Sequence, residues 1–167
     1  MILTGLSHSR GTIRQPDWMD VQEMQTKVLV VDDDRDTTDL LKIILEPQSF
    51  AVITANSGEE GIELARLWAP DVMVVDLLMP GIDGINVVRS IRKFSSIPIL
   101  IISAVNKPNI AELTLDCGGD DFLKKPFSSG VLIASVNKLA RRARAEQNSQ
   151  AGNGSEKPSV PDCQNPF

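Results

Sequence analysis

The sequence predicts an α/β fold, a doubly wound sheet of five parallel strands joined by five helices. Two observations carry this reading. Short apolar runs alternate five times with segments of helical spacing between residues 27 and 145, and that strict alternation is the pattern of repeated strand-helix-strand crossovers. The runs are also β-branched and continuous rather than alternately polar, as strands buried on both faces must be.

The first run, VLVV (28–31), is followed by a helix whose apolar stripe is expected from Leu40, Leu41, Ile44 and Leu45, with Asp34 or Asp36 as its cap. FAVIT (50–54) leads to a helix carrying Ile62, Ala65 and Trp68 inward. Ser57 followed three positions later by Glu60 reads as a capping box at its start. VMVV (72–75) precedes a helix with Ile85, Val88 and Ile91 at core spacing. ILII (99–102) precedes a fourth helix containing Cys117, expected as a small buried residue rather than a redox group. DFL (121–123) leads into the last helix, near 128–145, with Leu132, Val136 and Leu139 inward and RRARA at its end, where cations favour the helix dipole.

The boundaries follow composition: residues 1–25 as an irregular extension, 26–145 as one domain, and 146–167 as a polar tail. The tail is rich in Asn, Gly, Ser and Pro, so it is expected to stay disordered for want of apolar surface to bury. With only about 22 residues past the last helix, too few for a helix-turn-helix or a catalytic domain, the expectation is a stand-alone, single-domain protein that acts by contact. A net charge of −5, with no basic stripe through the body, weighs against direct nucleic-acid binding. Two cysteines, Cys117 and Cys163, are too few and too far apart for a disulfide framework or a zinc site. No apolar segment reaches the about 18 residues that a membrane span needs, and the first residues lack the charge and core of a signal peptide. The expectation is a cytoplasmic protein with no membrane association. The lone His8 lies in the irregular head and is expected to have no phosphohistidine or metal role.

The residues that end the strands carry the chemistry, because ligands of such sheets bind beyond the carboxyl ends of the strands. The first strand ends in Asp32, Asp33 and Asp34, the third in Asp76, the fourth in Ser103 and the fifth in Lys124 and Lys125 before Pro126. Singly, each has a plainer role as a cap, turn former or solvated charge. Together they form a complementary set. Carboxylates gathered in one place repel and resist ionisation unless a cation neutralises them. Hard oxygen donors suit Mg²⁺, which shares its shell with phosphoryl groups. A lysine and a hydroxyl then supply a charge and a donor for phosphoryl oxygens. No glycine-rich phosphate cradle follows any strand, so Asp76 is the natural nucleophile for a covalently held phosphoryl group.

VLVVDDD, VMVVDLLMPGIDG, ILIISA and DFLKKPF occur in this order. On them the chain resembles the receiver domain of two-component response regulators. The resemblance implies a flavodoxin-like (CheY-like) sheet of order 2-1-3-4-5 and phosphorylation of Asp76 by the phosphohistidine of a sensor histidine kinase or phosphotransfer protein. It implies Mg²⁺ held by Asp33, Asp76 and the backbone carbonyl of Leu78, with Asp32 acting through water. It assigns Ser103 as the switch hydroxyl, Lys125 as the phosphate-contacting lysine, Phe122 as the aromatic switch and Lys125–Pro126 as a cis peptide. The output it implies is contact with a downstream protein, or a homodimer, through the face of the fourth helix, fifth strand and fifth helix, in a signalling domain and not an enzyme. The chain departs from the family's pattern at Leu78 and Val105, which are apolar where polar residues often align the hydrolytic water; slow loss of phosphate is expected. Two alternatives are a pseudo-receiver that never takes phosphate and an aspartyl-nucleophile phosphatase, which would need its nucleophile on the first strand.

Overall fold

A computed structural model describes residues 25–150, with side chains to Glu146. The head with His8 and the tail with Cys163 lie outside the described residues. The elements run β1 (Thr26–Val31), α1 (Arg35–Leu45), a single 3-10 turn (Glu46–Gln48), β2 (Phe50–Ala55), α2 (Gly58–Trp68), β3 (Val72–Asp76), α3 (Gly84–Arg92), β4 (Ile99–Ser103), α4 (Ile110–Asp116), β5 (Asp121–Lys124) and α5 (Ser129–Gln150). All strand pairs are parallel, in the order β2-β1-β3-β4-β5.

Side chains alternate across a strand, so each continuous apolar run feeds two cores. Leu29, Val31, Met73, Val75, Ile99 and Ile101 face α2, α3 and α4, where Ala65, Ile85, Val88, Ile91 and Cys117 meet them. Val28, Val30, Val72, Val74, Leu100 and Ile102 face Leu41 and Leu45 of α1 and Leu132, Val136 and Leu139 of α5. β3 and β4 are buried along their whole length. Each fully buried aliphatic side chain there contributes about 1.5–3 kcal/mol by leaving water.

Local signals set the helix starts. Asp34 is the cap of α1 and accepts from the Asp36 N–H. Ser57 caps α2, accepting from the Glu60 N–H at 3.2 Å. The reciprocal half of the capping box is displaced by one residue, since the Glu60 carboxylate accepts the Asn56 N–H at 2.7 Å. Asp83 caps α3 through the Asn86 N–H.

Two expectations are corrected. Leu40 is 56% exposed, because Leu41 and Leu45 define the buried stripe of α1 and Leu40 lies about 100° around the helix from Leu41. The last helix does not stop at 145 but continues to Gln150, into the segment expected as polar tail. Its last turns are anchored at Arg142, whose guanidinium donates to Asp120 Oδ1 at 3.0 Å and to Glu146 at 2.8 Å.

The register fixes the working edge. Val31 stands opposite Ala55 and Val75, Asp76 opposite Ile102, and Ser103 opposite Lys124. The chain therefore leaves all five strands at one edge, where the polar residues gather. Among the described residues no helix is long and apolar enough to cross a membrane.

Candidate functional site

Asp76, the last residue of β3, is 5% exposed, and Asp32, the first residue beyond β1, is 2% exposed. Two buried carboxylates side by side require a cation, and Lys125 supplies it. Its ammonium lies 2.9 Å from Asp32 Oδ2 and 2.8 Å from Asp76 Oδ1. Lys125 reaches this position from the end of β5, where its own N–H donates to the Ser103 carbonyl at 2.8 Å and the peptide bond to Pro126 is cis.

The other Asp76 oxygen, Oδ2, accepts the Leu78 N–H at 2.8 Å. Burial raises the Asp76 pKa above the ordinary carboxylate value; the Lys125 hydrogen bond and charge oppose the rise, and the Asp32 charge adds to it. Burial by itself would lower the Lys125 pKa. Its hydrogen bonds to Asp76 and Asp32, and their charges, outweigh burial and hold it above lysine's usual range. Close packing supports Asp76 from behind: a Cβ on Gly84 would stand 2.3 Å from the Asp76 carbonyl oxygen. Only glycine lets α3 start so near the strand end.

The remaining expected site residues surround this centre without joining its ion pairs. Asp33 is exposed at the rim. Ser103 is fully buried, and its Oγ accepts the N–H of Val105 at 3.0 Å, so the hydroxyl is engaged within its own loop. Phe122 is half-buried on β5 and, with Val105 and Ile110, lines an open cavity of about 310 Å³. The Leu78 side chain is 47% exposed next to Asp76.

Among the described residues no three His, Cys, Asp or Glu side chains close into a metal cage. The Lys125 ammonium occupies the shared edge of Asp32 and Asp76, and Asp33 is exposed at the rim. The donor chemistry nevertheless fits Mg²⁺. Asp32 and Asp76 share one ammonium and the exposed Asp33 adds a third carboxylate at the rim, leaving net negative charge, and a few oxygen donors suffice for an ion that keeps most of its waters.

The sequence reading missed Asn56, whose amide donates to the Asp32 carbonyl at 3.2 Å. It also missed the Arg92–Asp120 pair at 2.7 Å. Asn56, the first residue after β2, carries neither charge nor hydroxyl, so its residue type gives no sign of a site.

The fold, strand order and clustered strand ends agree with sequence comparison, in which the model of the response regulator receiver domain matches residues 28–137. The chain belongs to that family. Among curated relatives, the receiver is 38% identical over 132 residues to the transcriptional regulatory protein AfsQ1 of Streptomyces coelicolor, covering 79% of this chain and 58% of the relative. It is 36% identical over 130 residues to the transcriptional regulatory protein CpxR of Escherichia coli K12, covering 77% of this chain and 56% of CpxR. The chain thus spans little more than half the length of these relatives. Among solved structures, the receiver domain of the Francisella response regulator 1452 superposes with a TM-score of 0.68 at 36% identity, covering 71% of this chain and 98% of that one. Receiver domains are signalling modules of two-component systems that generally bind Mg²⁺ at the phosphorylation site.

Proposed function

We propose that the receiver accepts a phosphoryl group on Asp76 and signals through phosphorylation-dependent protein contact. The observation that carries this reading is the Lys125 ammonium spanning two buried carboxylates, one of which ends β3 beside an open rim. The donor is the phosphohistidine of a sensor histidine kinase or phosphotransfer protein. An Asp76 carboxylate oxygen bonds to phosphorus as the histidine N–P bond breaks, and the electron pair of that bond returns to the imidazole. The product is an acyl phosphate, so the domain has mainly to align the groups and neutralise charge.

Lys125 moves from pairing with Asp76 to contacting a phosphoryl oxygen, which its flexible stem permits. Ser103 Oγ turns from the Val105 N–H to donate to a second oxygen, and Phe122 follows into the space between Val105 and Ile110. Asp33, Asp76 and the Leu78 carbonyl, with Asp32 through water, would hold Mg²⁺, whose charge would neutralise the phosphoryl oxygens when it is bound. The loop and ring movements bias a two-state equilibrium felt on the α4, β5 and α5 face, which serves downstream partners or a second copy. On that face Lys138 pairs with Asp121 at 2.7 Å and Arg142 with Asp120 at 3.0 Å.

The test is intact mass after incubation with a small phosphodonor and Mg²⁺. One phosphoryl group is expected on the unaltered protein and none on Asp76→Asn. No uptake by the unaltered protein supports the pseudo-receiver alternative, and multiple turnover of a generic phosphate ester supports the phosphatase alternative.

A further inference from the structure

The end of β2 contributes to the site through a neutral side chain. β1 and β2 pair in register up to Val31 opposite Ala55, and the Asp32 N–H adds one more bond to the Ala55 carbonyl at 3.2 Å. At the next position β2 turns into the α2 cap at Ser57. The Asn56 side chain takes the place of the missing rung. Its Nδ2 donates to the Asp32 carbonyl at 3.2 Å and to Thr38 Oγ1, also at 3.2 Å. Asn56 is itself held, because its N–H donates to Glu60 Oε2 at 2.7 Å. Thr38 is held too: it is 1% exposed and donates to the Arg35 carbonyl at 2.9 Å.

These bonds bracket Asp33. The peptide plane before it, joining Asp32 to Asp33, is fixed at its carbonyl by Asn56. The plane after it is fixed at its N–H, which is the Asp34 N–H donating to Asp32 Oδ1 at 3.0 Å. With both flanking planes anchored, the direction in which the Asp33 side chain leaves the backbone is set, although its carboxylate is exposed. Without the Asn56 tie the first plane is free to rotate, and an exposed carboxylate on a loose loop is a poor ligand for an ion that tolerates little deviation in geometry.

We infer that Asn56 is a positioning residue for the acidic pair, fixing the Asp32–Asp33 peptide so that Asp33 is aimed for a divalent cation before the cation arrives. This inference rests on the phosphoacceptor reading of the site. It concerns a residue outside the ligand set, and groups that orient ligands typically affect metal affinity by about 10- to 100-fold.

The experiment compares the unaltered protein with Asn56→Ala, Asn56→Leu and Ser57→Ala. Mg²⁺ affinity is measured by calorimetric titration, thermal midpoint in EDTA, and amide hydrogen exchange at Asp34 in EDTA. Asn56→Ala and Asn56→Leu should weaken Mg²⁺ binding by about tenfold or more and speed exchange at the Asp34 N–H without any metal present. Leucine has the same side-chain heavy-atom count as asparagine, branched at the same carbon, but no donor, so a role in filling space alone would leave its Mg²⁺ affinity unchanged. Ser57→Ala removes the α2 cap and should lower the midpoint in EDTA while leaving Mg²⁺ affinity unchanged. The inference is overturned if both Asn56 variants bind Mg²⁺ within twofold of the unaltered protein, or if Ser57→Ala loses affinity to the same degree. If the unaltered protein binds no Mg²⁺ and takes no phosphoryl group, the phosphoacceptor reading itself fails and the inference goes with it.

Discussion

Replacing Lys125 by Met removes the ammonium and keeps most of the side-chain volume, so it isolates the cation's part in the fold. Asp32 and Asp76 would then face each other at 2% and 5% exposure with no compensating charge. Removing one partner of a fully buried ion pair costs about 3–5 kcal/mol. The Lys125 side chain is 26% exposed, so solvent screens part of the interaction; about 2–3 kcal/mol is the appropriate figure. For a domain of this size about 3–4 °C of thermal midpoint corresponds to each kcal/mol, giving a fall of roughly 6–12 °C in the absence of metal.

The pH dependence has a definite sign. Burial raises the Asp76 pKa in the folded state, so the ionised form is the costly one. Folding is favoured by protonation there, and that contribution is lost as pH rises through the raised pKa. Without Lys125 to offset it, the cost of ionisation grows. The deficit of Lys125→Met should therefore be largest at neutral pH and shrink on acidification, when the carboxylates are neutral in both proteins. Mg²⁺ should also narrow it by replacing the missing charge. Differential scanning calorimetry in EDTA and in Mg²⁺ across the acid range measures all of this. A midpoint within about 2 °C of the unaltered protein at neutral pH, or a deficit that widens on acidification, refutes the reasoning.

Gly84→Ala forces a methyl against the Asp76 carbonyl and the Leu77 Cα; a loss of about 1–3 kcal/mol in denaturant titration and slower phosphoryl uptake are expected, and an unchanged midpoint with unchanged uptake would count against the close approach. On the proposed reading, apolar Leu78 and Val105 would give a hydrolytic water no partner, so the phosphorylated protein should decay slowly and Leu78→Asn should shorten its lifetime by roughly tenfold; a half-life of seconds in the unaltered protein contradicts this. Asp120→Ala leaves the Arg92 guanidinium, 10% exposed and with its pKa lowered by burial, with backbone carbonyls, those of Gly118 and Ile97 among them, and no paired carboxylate, so about 3 kcal/mol of stability should be lost. Arg142→Ala cuts the same carboxylate's exposed partner and should cost below about 1 kcal/mol; equal losses in the two variants would sink the distinction.

What the sequence made legible was the part of the structure encoded by local order. A β-branched apolar run between helical segments has few ways to be buried, and parallel pairing then carries Asp32, Asp76, Ser103 and Lys125 to one edge wherever the exact register falls. The caps at Asp34 and Ser57 were legible because a side-chain oxygen reaches an N–H two or three residues ahead. Side-chain direction was much less so. Leu40 and Leu41 are equally apolar, and only the angle at which α1 meets the sheet decides which is buried. Ser103 was placed at the right strand end, yet its hydroxyl faces the Val105 N–H, a rotamer choice that residue type does not encode.

The least legible features are ties between distant positions made by residues with ordinary local roles. Asp120 lies 28 residues from Arg92 and 22 from Arg142, and either arginine alone reads as a helix-end cation. Asn56 reads as a loop residue before a cap, and nothing local distinguishes it from one that faces solvent. The role inferred for it follows from topology: β2 is an edge strand beside β1, so the residue just past the end of their ladder lies within hydrogen-bond reach of the Asp32 carbonyl. In any parallel sheet with its ligands at the carboxyl edge, the point where a neighbouring strand stops pairing is therefore a place to look for the group that orients them. A side chain that supplies the next rung there anchors the loop without adding charge to the site, which charged strand ends such as Asp32 and Asp76 cannot do.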